Sequence, residues 1–243
     1  MRLHRFVFPI GALIAVTGCG GGGISNLINN PYKGTYKGEF FEHDSGAIGS
    51  VSLNITAAGI ISGTATPIVN GKPGAPFKLT GAMASSGSAV ISGFEGNTDV
   101  GQFASPSSTT MAAYITNESG SSTVWLALLV NPSAPSTGGN PFSGDYAGTV
   151  LNTITGITNF NAWTISTSGV VAGSAVIQDS GVPALAAVTG TVSSSGSVAW
   201  TVSVGGSVVS TITGNLTLTG TSLTGTLKNS ANNNLTLSDT LIE

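Results

Sequence analysis

Asn30-Pro31-Tyr32-Lys33-Gly34-Thr35-Tyr36-Lys37-Gly38 returns later in the chain as Asn140-Pro141-Phe142-Ser143-Gly144-Asp145-Tyr146-Ala147-Gly148, a shift of 110 positions. The same shift places Leu53, Ile55, Gly59 and Gly63 on Trp163, Ile165, Gly169 and Gly173. After one deletion Gly81 and Gly87 fall on Gly190 and Gly196. Self-similarity held over such a span is the signature of a duplicated module. Within each copy apolar and polar residues alternate, as in Val51, Leu53 and Ile55 against Ser52, Asn54 and Thr56, or Leu216 and Leu218 against Thr217 and Thr219. Period-2 alternation is that of half-buried antiparallel strands. Ala57-Ala58-Gly59, Ser85-Ser86-Gly87, Ser166-Thr167-Ser168-Gly169 and Ser194-Ser195-Gly196 lie between such runs and read as short turns. No stretch after the N-terminal segment has helical periodicity.

The expected fold is therefore all-β: two tandem antiparallel up-and-down barrel-like domains of about eight strands each, or alternatively two β-sandwiches built from the same strands. Closure into a barrel is favoured because it removes exposed strand edges. Asn131–Asn140, NPSAPSTGGN, is rich in Pro and Gly and almost free of apolar residues, so it reads as a linker. The expected organisation is residues 1–18, 19–30, a first β domain at 31–130, the linker at 131–140 and a second β domain at 141–243. A membrane-spanning barrel would need strands of about 9–11 residues and aromatic girdles, whereas the alternating runs here cover five to eight positions.

Met1–Arg5 is short and positive, and Phe6–Val16 is an apolar run ending in small residues. That layout is a secretory signal peptide, too short to span a bilayer core as a helix. Val16-Thr17-Gly18-Cys19 resembles the bacterial lipobox, with Val in place of the more usual Leu at its first position. The resemblance implies cleavage before Cys19, lipid attachment to Cys19, and a membrane partner reached through that lipid. Gly20 after the cysteine, by the rule known for such lipoproteins, implies the outer membrane. Gly20–Asn30, GGGGISNLINN, then reads as a flexible tether with a reach of about 18 Å.

The opening Gly-x-Tyr-x-Gly of each copy, the apolar-Thr strand, and Gly59-x-x-x-Gly63-Thr64 with Gly169-x-x-x-Gly173-Ser174 are similar to lipoprotein barrels of the avidin-like and transferrin-binding-protein type. No ligand residue of those families is recognisable, so the resemblance implies a fold and no site.

Composition narrows function. Charged residues are 7% of the chain, far below the roughly 25% of ordinary domains, so solubility rests on hydroxyls and amides. Residues 19–243 hold five lysines, no arginine and ten carboxylates. Five scattered lysines cannot supply the basic patch that nucleic-acid binding requires. Cys19 is the sole cysteine, so no disulfide forms within the chain and the fold must stand on packing.

Glu42-His43-Asp44 is the densest ionisable cluster and holds the only histidine after His4. A metal site usually draws three or four ligands from separated positions, and a strand would point Glu42 and Asp44 away from His43. A Ser-His-Asp hydrolase would have to use the same His43, without a Gly-x-Ser-x-Gly elbow. The second copy has only Asp145, Asp179, Asp239 and Glu243 for a carboxylate pair. Asn229–Asn234, NSANNN, reads as a hairpin loop. Tyr36, Phe40, Phe41, Trp125, Tyr146, Trp163 and Trp200 fall in expected strands, where the default role is the core. The expected function is a non-enzymatic, membrane-anchored binding or structural module, without metal or cofactor. The alternatives are a carrier of a small apolar ligand in a pocket of each barrel, and a hydrolase.

Overall fold

The protein is described by a computed structural model over residues 29–42, 46–94, 98–104, 109–117, 123–130, 138–179, 182–231 and 233–242. Its first sheet contains β1 (Gly34–Glu42), β2 (Ile48–Ile55), β3 (Ile60–Val69), β4 (Lys72–Pro73), β5 (Phe77–Met83), β6 (Ser88–Ser92), β7 (Thr98–Ala104), β8 (Thr110–Asn117) and β9 (Thr123–Val130). Its second contains β10 (Gly144–Asn152), β11 (Thr158–Ile165), β12 (Val170–Asp179), β13 (Val182–Val192), β14 (Ser197–Val204), β15 (Ser207–Thr219), β16 (Ser222–Asn229) and β17 (Asn234–Leu241).

Every pairing is antiparallel. β10 to β17 form a closed barrel in chain order, with β17 returning to β10. In the first sheet the pairings also run from neighbour to neighbour and β9 returns to β1, with β4 left out as a two-residue addition to the end of β3. The all-β expectation of two up-and-down, barrel-like sheets of eight main strands holds, and the sandwich alternative does not occur. The repeat survives in the register: Gly34 and Tyr36 pair with Ile55 and Leu53, as Gly144 and Tyr146 pair with Ile165 and Trp163.

Several strands are longer than the alternating runs suggest, up to the 13 residues of β15. Glycines interrupt the apolar side of the pattern without ending the strand. Gly173 leaves space that Trp163 fills, since a Cβ there would lie 2.7 Å from the Trp163 Cβ, and Gly190 does the same for Trp200. Gly63 and Gly81 serve Leu53 and Ile91 in the first barrel. Small and large residues thus interlock across neighbouring strands, as a narrow barrel interior requires. The outward side of β15 carries Thr211, Thr213, Asn215, Thr217 and Thr219, all exposed. That polar exterior is the reverse of a lipid-facing barrel wall.

The duplicated Asn-Pro-Tyr/Phe segment is a staple at one end of each barrel. Asn140 donates its backbone N–H to the Thr167 carbonyl (2.7 Å) and its Nδ2 to the Val192 carbonyl (2.7 Å), while its Oδ1 accepts the Phe142 N–H (2.9 Å). The Tyr146 hydroxyl donates to the Phe142 carbonyl at 3.0 Å. Asn30 repeats the set on Ala57, Met83 and Tyr32, and Tyr36 donates to the Tyr32 carbonyl. The buried asparagine ties the turn after one strand to the end of another, so the chain entering each barrel also locks it.

The two barrels share a face. Ala112 of β8 and Ala147, Phe160, Ala162 and Val176 of the second barrel are fully buried together, with Phe41, Tyr114, Leu185 and Ile242 around them. By strand alternation Phe160 and Ala162 point away from the interior that holds Trp163 and Ile165. Phe41 meets Phe160 with ring centroids 6.1 Å apart, and the buried hydroxyls of Thr110 and Ser174 bond at 2.6 Å.

Candidate functional site

Cys19, His43, Asp44 and Glu243 lie outside the described residues. Glu42 ends β1 and lines a cavity of about 120 Å³ at a mouth of the first barrel, beside Phe40, Phe77 and Phe94. These three rings form an edge-to-face cluster with centroids 5.6–6.3 Å apart. Asp145 accepts a hydrogen bond from Thr164 Oγ1 (2.8 Å). Asn229 uses its Oδ1 to accept the Asn233 N–H at 2.9 Å, which closes the hairpin loop read from its sequence. Among the described residues no three His, Cys, Asp or Glu side chains lie together as metal ligands would. Of the aromatic residues, Tyr36, Phe40, Tyr146, Trp163 and Trp200 are core, Phe41 belongs to the shared face, and the Trp125 side chain is outside the description.

A cleft of about 280 Å³ separates the barrels, lined by Lys37, the hydroxyls of Ser50, Ser52, Thr64 and Thr66, and Leu241 and Ile242. It is open and shallow in chemistry: hydroxyls and one ammonium group.

The chemically distinct place is inside the second barrel. Asn161 and Trp163 of β11, Trp200 of β14 and Asp239 of β17 all point inward and are at most 2% exposed. Asp239 sits over Gly148, its strand partner, whose missing side chain leaves the space that the carboxyl occupies. Asn161 Nδ2 donates to Asp239 Oδ2 at 3.0 Å. The remaining atoms, Asn161 Oδ1, Trp163 Nε1, Trp200 Nε1 and Asp239 Oδ1, have no hydrogen-bond partner. The Trp163 indole faces the Asp239 carboxyl closely enough to favour its ionised form, without reaching good hydrogen-bond geometry. The indoles of Trp163 and Trp200 lie against each other, centroids 4.7 Å apart. A cavity of about 50 Å³ opens beside Asn159, Asn161, Trp163 and Trp200, closed by Val150, Val188, Ile212 and Leu235 among others.

Each buried, unpaired polar group costs about 1–3 kcal/mol, so four together rival the roughly 5–15 kcal/mol net stability of a whole domain. Burial is also the main reason that the Asp239 carboxyl is held well above its usual pKa. Glu39, on the outward face of β1, adds to the rise, and the hydrogen bond from Asn161 opposes it. Burial thus works against the charged form of the Asp239 carboxyl, which shares the barrel interior with an amide and two indole N–H groups.

Glu39 is itself lifted by burial, from 4.5 to about 7. The folded protein thus holds a proton that the unfolded chain releases. Stability from this group is full below about pH 4.5 and is lost as the pH rises through about 7. A shift of this size corresponds to roughly 3 kcal/mol. Asp239 acts in the same direction. The expected result is a melting temperature lower at pH 8 than at pH 5 by about 6–12 °C, with Glu39→Gln flattening the difference. A pH-independent melt in the unsubstituted protein would contradict the burial of Glu39.

Sequence reasoning placed Trp163 and Trp200 in the core, named Asp239 only as one of four carboxylates available for a pair, and did not name Asn161. The signal was present in Asn159-Phe160-Asn161-Ala162-Trp163, where polar residues take the positions that alternation assigns to the interior. Among known proteins, no family and no curated protein matches the chain.

Proposed function

We propose that the chain is the precursor of a bacterial lipoprotein, cleaved before Cys19 and anchored by lipid on that residue, most simply in the outer membrane. Its double barrel is a non-enzymatic module with a binding or structural role. The order of charged start, apolar run, Val16-Thr17-Gly18-Cys19 and glycine tether supports the anchor. The observation that carries the rest is the filling of both barrels by side chains. The interior cavity of about 50 Å³ in the second barrel falls far below the roughly 300–1,000 Å³ of sites that enclose drug-sized ligands. This weighs against a carrier of sizeable apolar ligands. The tether runs directly into the Asn30 staple, so the barrels would be held within about 18 Å of the lipid surface by a fixed end.

The test is fractionation with lipid labelling. Cys19→Ala is expected to abolish incorporation of labelled palmitate and to move the protein out of the washed membrane fraction, because two or three acyl chains are what hold it. Membrane retention of the variant after a high-salt wash would refute the anchor. A specific hydrolytic activity in the purified protein would refute the non-enzymatic reading.

A further inference from the structure

The two barrels are built to one register, so their interiors can be compared position by position. Val51 pairs with Gly38 as Asn161 pairs with Gly148. Leu53 pairs with Tyr36 as Trp163 pairs with Tyr146. Ile91 pairs with Gly81 as Trp200 pairs with Gly190. Leu128 pairs with Gly38 as Asp239 pairs with Gly148. The first barrel thus fills these four positions with Val, Leu, Ile and Leu, all buried. The second fills them with Asn161, Trp163, Trp200 and Asp239, each of which has one polar side-chain atom without a partner. The barrel design does not demand polarity there, since the first copy closes without it.

Several features define what could sit among them. Two indole N–H groups offer donors, and Asn161 Oδ1 offers an acceptor. The Asn161–Asp239 hydrogen bond orients the amide and uses one of its two N–H donors, leaving its oxygen without a partner. No side chain of fixed charge lines the cavity, which is bounded by Val150, Ile177, Val202 and Leu235 beside the polar groups. An ion would lose its hydration there without a counter-charge. The volume of about 50 Å³ admits roughly three or four waters or an organic group of similar size.

We propose that the interior of the second barrel is a binding site for a small neutral molecule that both donates and accepts hydrogen bonds, held by Trp163, Trp200 and Asn161, with Asp239 orienting the Asn161 amide from behind. At the four matching positions the first barrel has only apolar side chains. The site does not depend on the anchor or on the role proposed above. Water and a small amide share the required chemistry. Water would be a resident occupant, and an amide or hydroxyl group of a larger-lived ligand would displace it.

Nuclear magnetic resonance of the indole N–H signals distinguishes these sources. In the protein labelled with ¹⁵N at tryptophan, resident water is expected to give cross-peaks from a long-lived water to the Trp163 and Trp200 Nε1–H. Trp125, on β9 of the other barrel, provides the reference signal. Titration with acetamide separates the occupants. Unchanged water cross-peaks identify water as the guest. Their loss, with a saturable shift of the Trp163 and Trp200 signals and none at Trp125, identifies an exchangeable amide site. Absence of long-lived water at both indoles together with no saturable response to acetamide would overturn the proposal.

Discussion

Gly169→Ala is expected to lower the melting temperature of the second barrel by about 10 °C or more, from a loss of at least about 3 kcal/mol. Gly169 has φ +81°, a conformation that costs a side-chain-bearing residue about 1 kcal/mol or more. The larger cost is spatial. An alanine Cβ would collide with the Val192 carbonyl oxygen and lie 2.6 Å from Asn140 Nδ2, the two atoms that the staple joins. Relief requires either backbone movement in β13 or withdrawal of Asn140. Withdrawal leaves the Val192 carbonyl and the Phe142 N–H unpaired, each at about 1–3 kcal/mol. Gly156→Ala supplies the comparison, because Gly156 has φ +72° but nothing within 4 Å of the added atom. It should show the conformational cost alone. Equal destabilisation by the two substitutions, measured by thermal melts, would mean that the staple bears none of the load assigned to it.

That comparison also shows what kind of information the sequence carried. The repeat of Asn-Pro-Tyr/Phe and the glycines at fixed spacing were visible as a pattern, and the pattern led to strands, turns and duplicated barrels. Its cause was not visible. Asn140, read as the last residue of a linker, turns out to be buried and to bridge the Thr167 turn and the end of β13. The glycines of the repeat divide into two sets, of which only the first was read as turn formers. Gly169 and Gly196 do sit in turns with positive φ, whereas Gly148 and Gly173 lie within strands and make room for Asp239 and Trp163. Alternation reports which way a residue points, not what crosses the barrel to meet it, so the Asn161–Asp239 bond, spanning 78 residues, left no local trace. The shared face escaped for a related reason. Phe160, Ala162 and Val176 lie on the side that alternation assigns to solvent, and two apolar faces on a strand are also what a strand buried on both sides displays.

Phe160→Asp is expected to separate the barrels while leaving each one folded. Phe160 is fully buried against Phe41 and among Ala112, Ala147, Ala162 and Val176, so its removal loses about 3–5 kcal/mol of packing. The new carboxylate would also be desolvated among these apolar side chains. No part of either strand circuit depends on Phe160 for hydrogen bonding, since its backbone pairs with Thr149 and Val176 regardless of side chain. The variant should therefore retain a β-type circular dichroism spectrum. Calorimetry should show two transitions where the unsubstituted chain, coupled through the shared face, shows one. Phe160→Leu, which keeps an apolar group of similar size, should cost no more than about 1.5 kcal/mol and keep the single transition. The second barrel alone, from Gly138 onward, should likewise fold but self-associate, because the same substitution-sensitive face is left uncovered. If Phe160→Asp instead abolishes the β spectrum altogether, the two copies fold only as one unit. The closed circuit of β10 to β17 would then be insufficient to hold the second copy on its own.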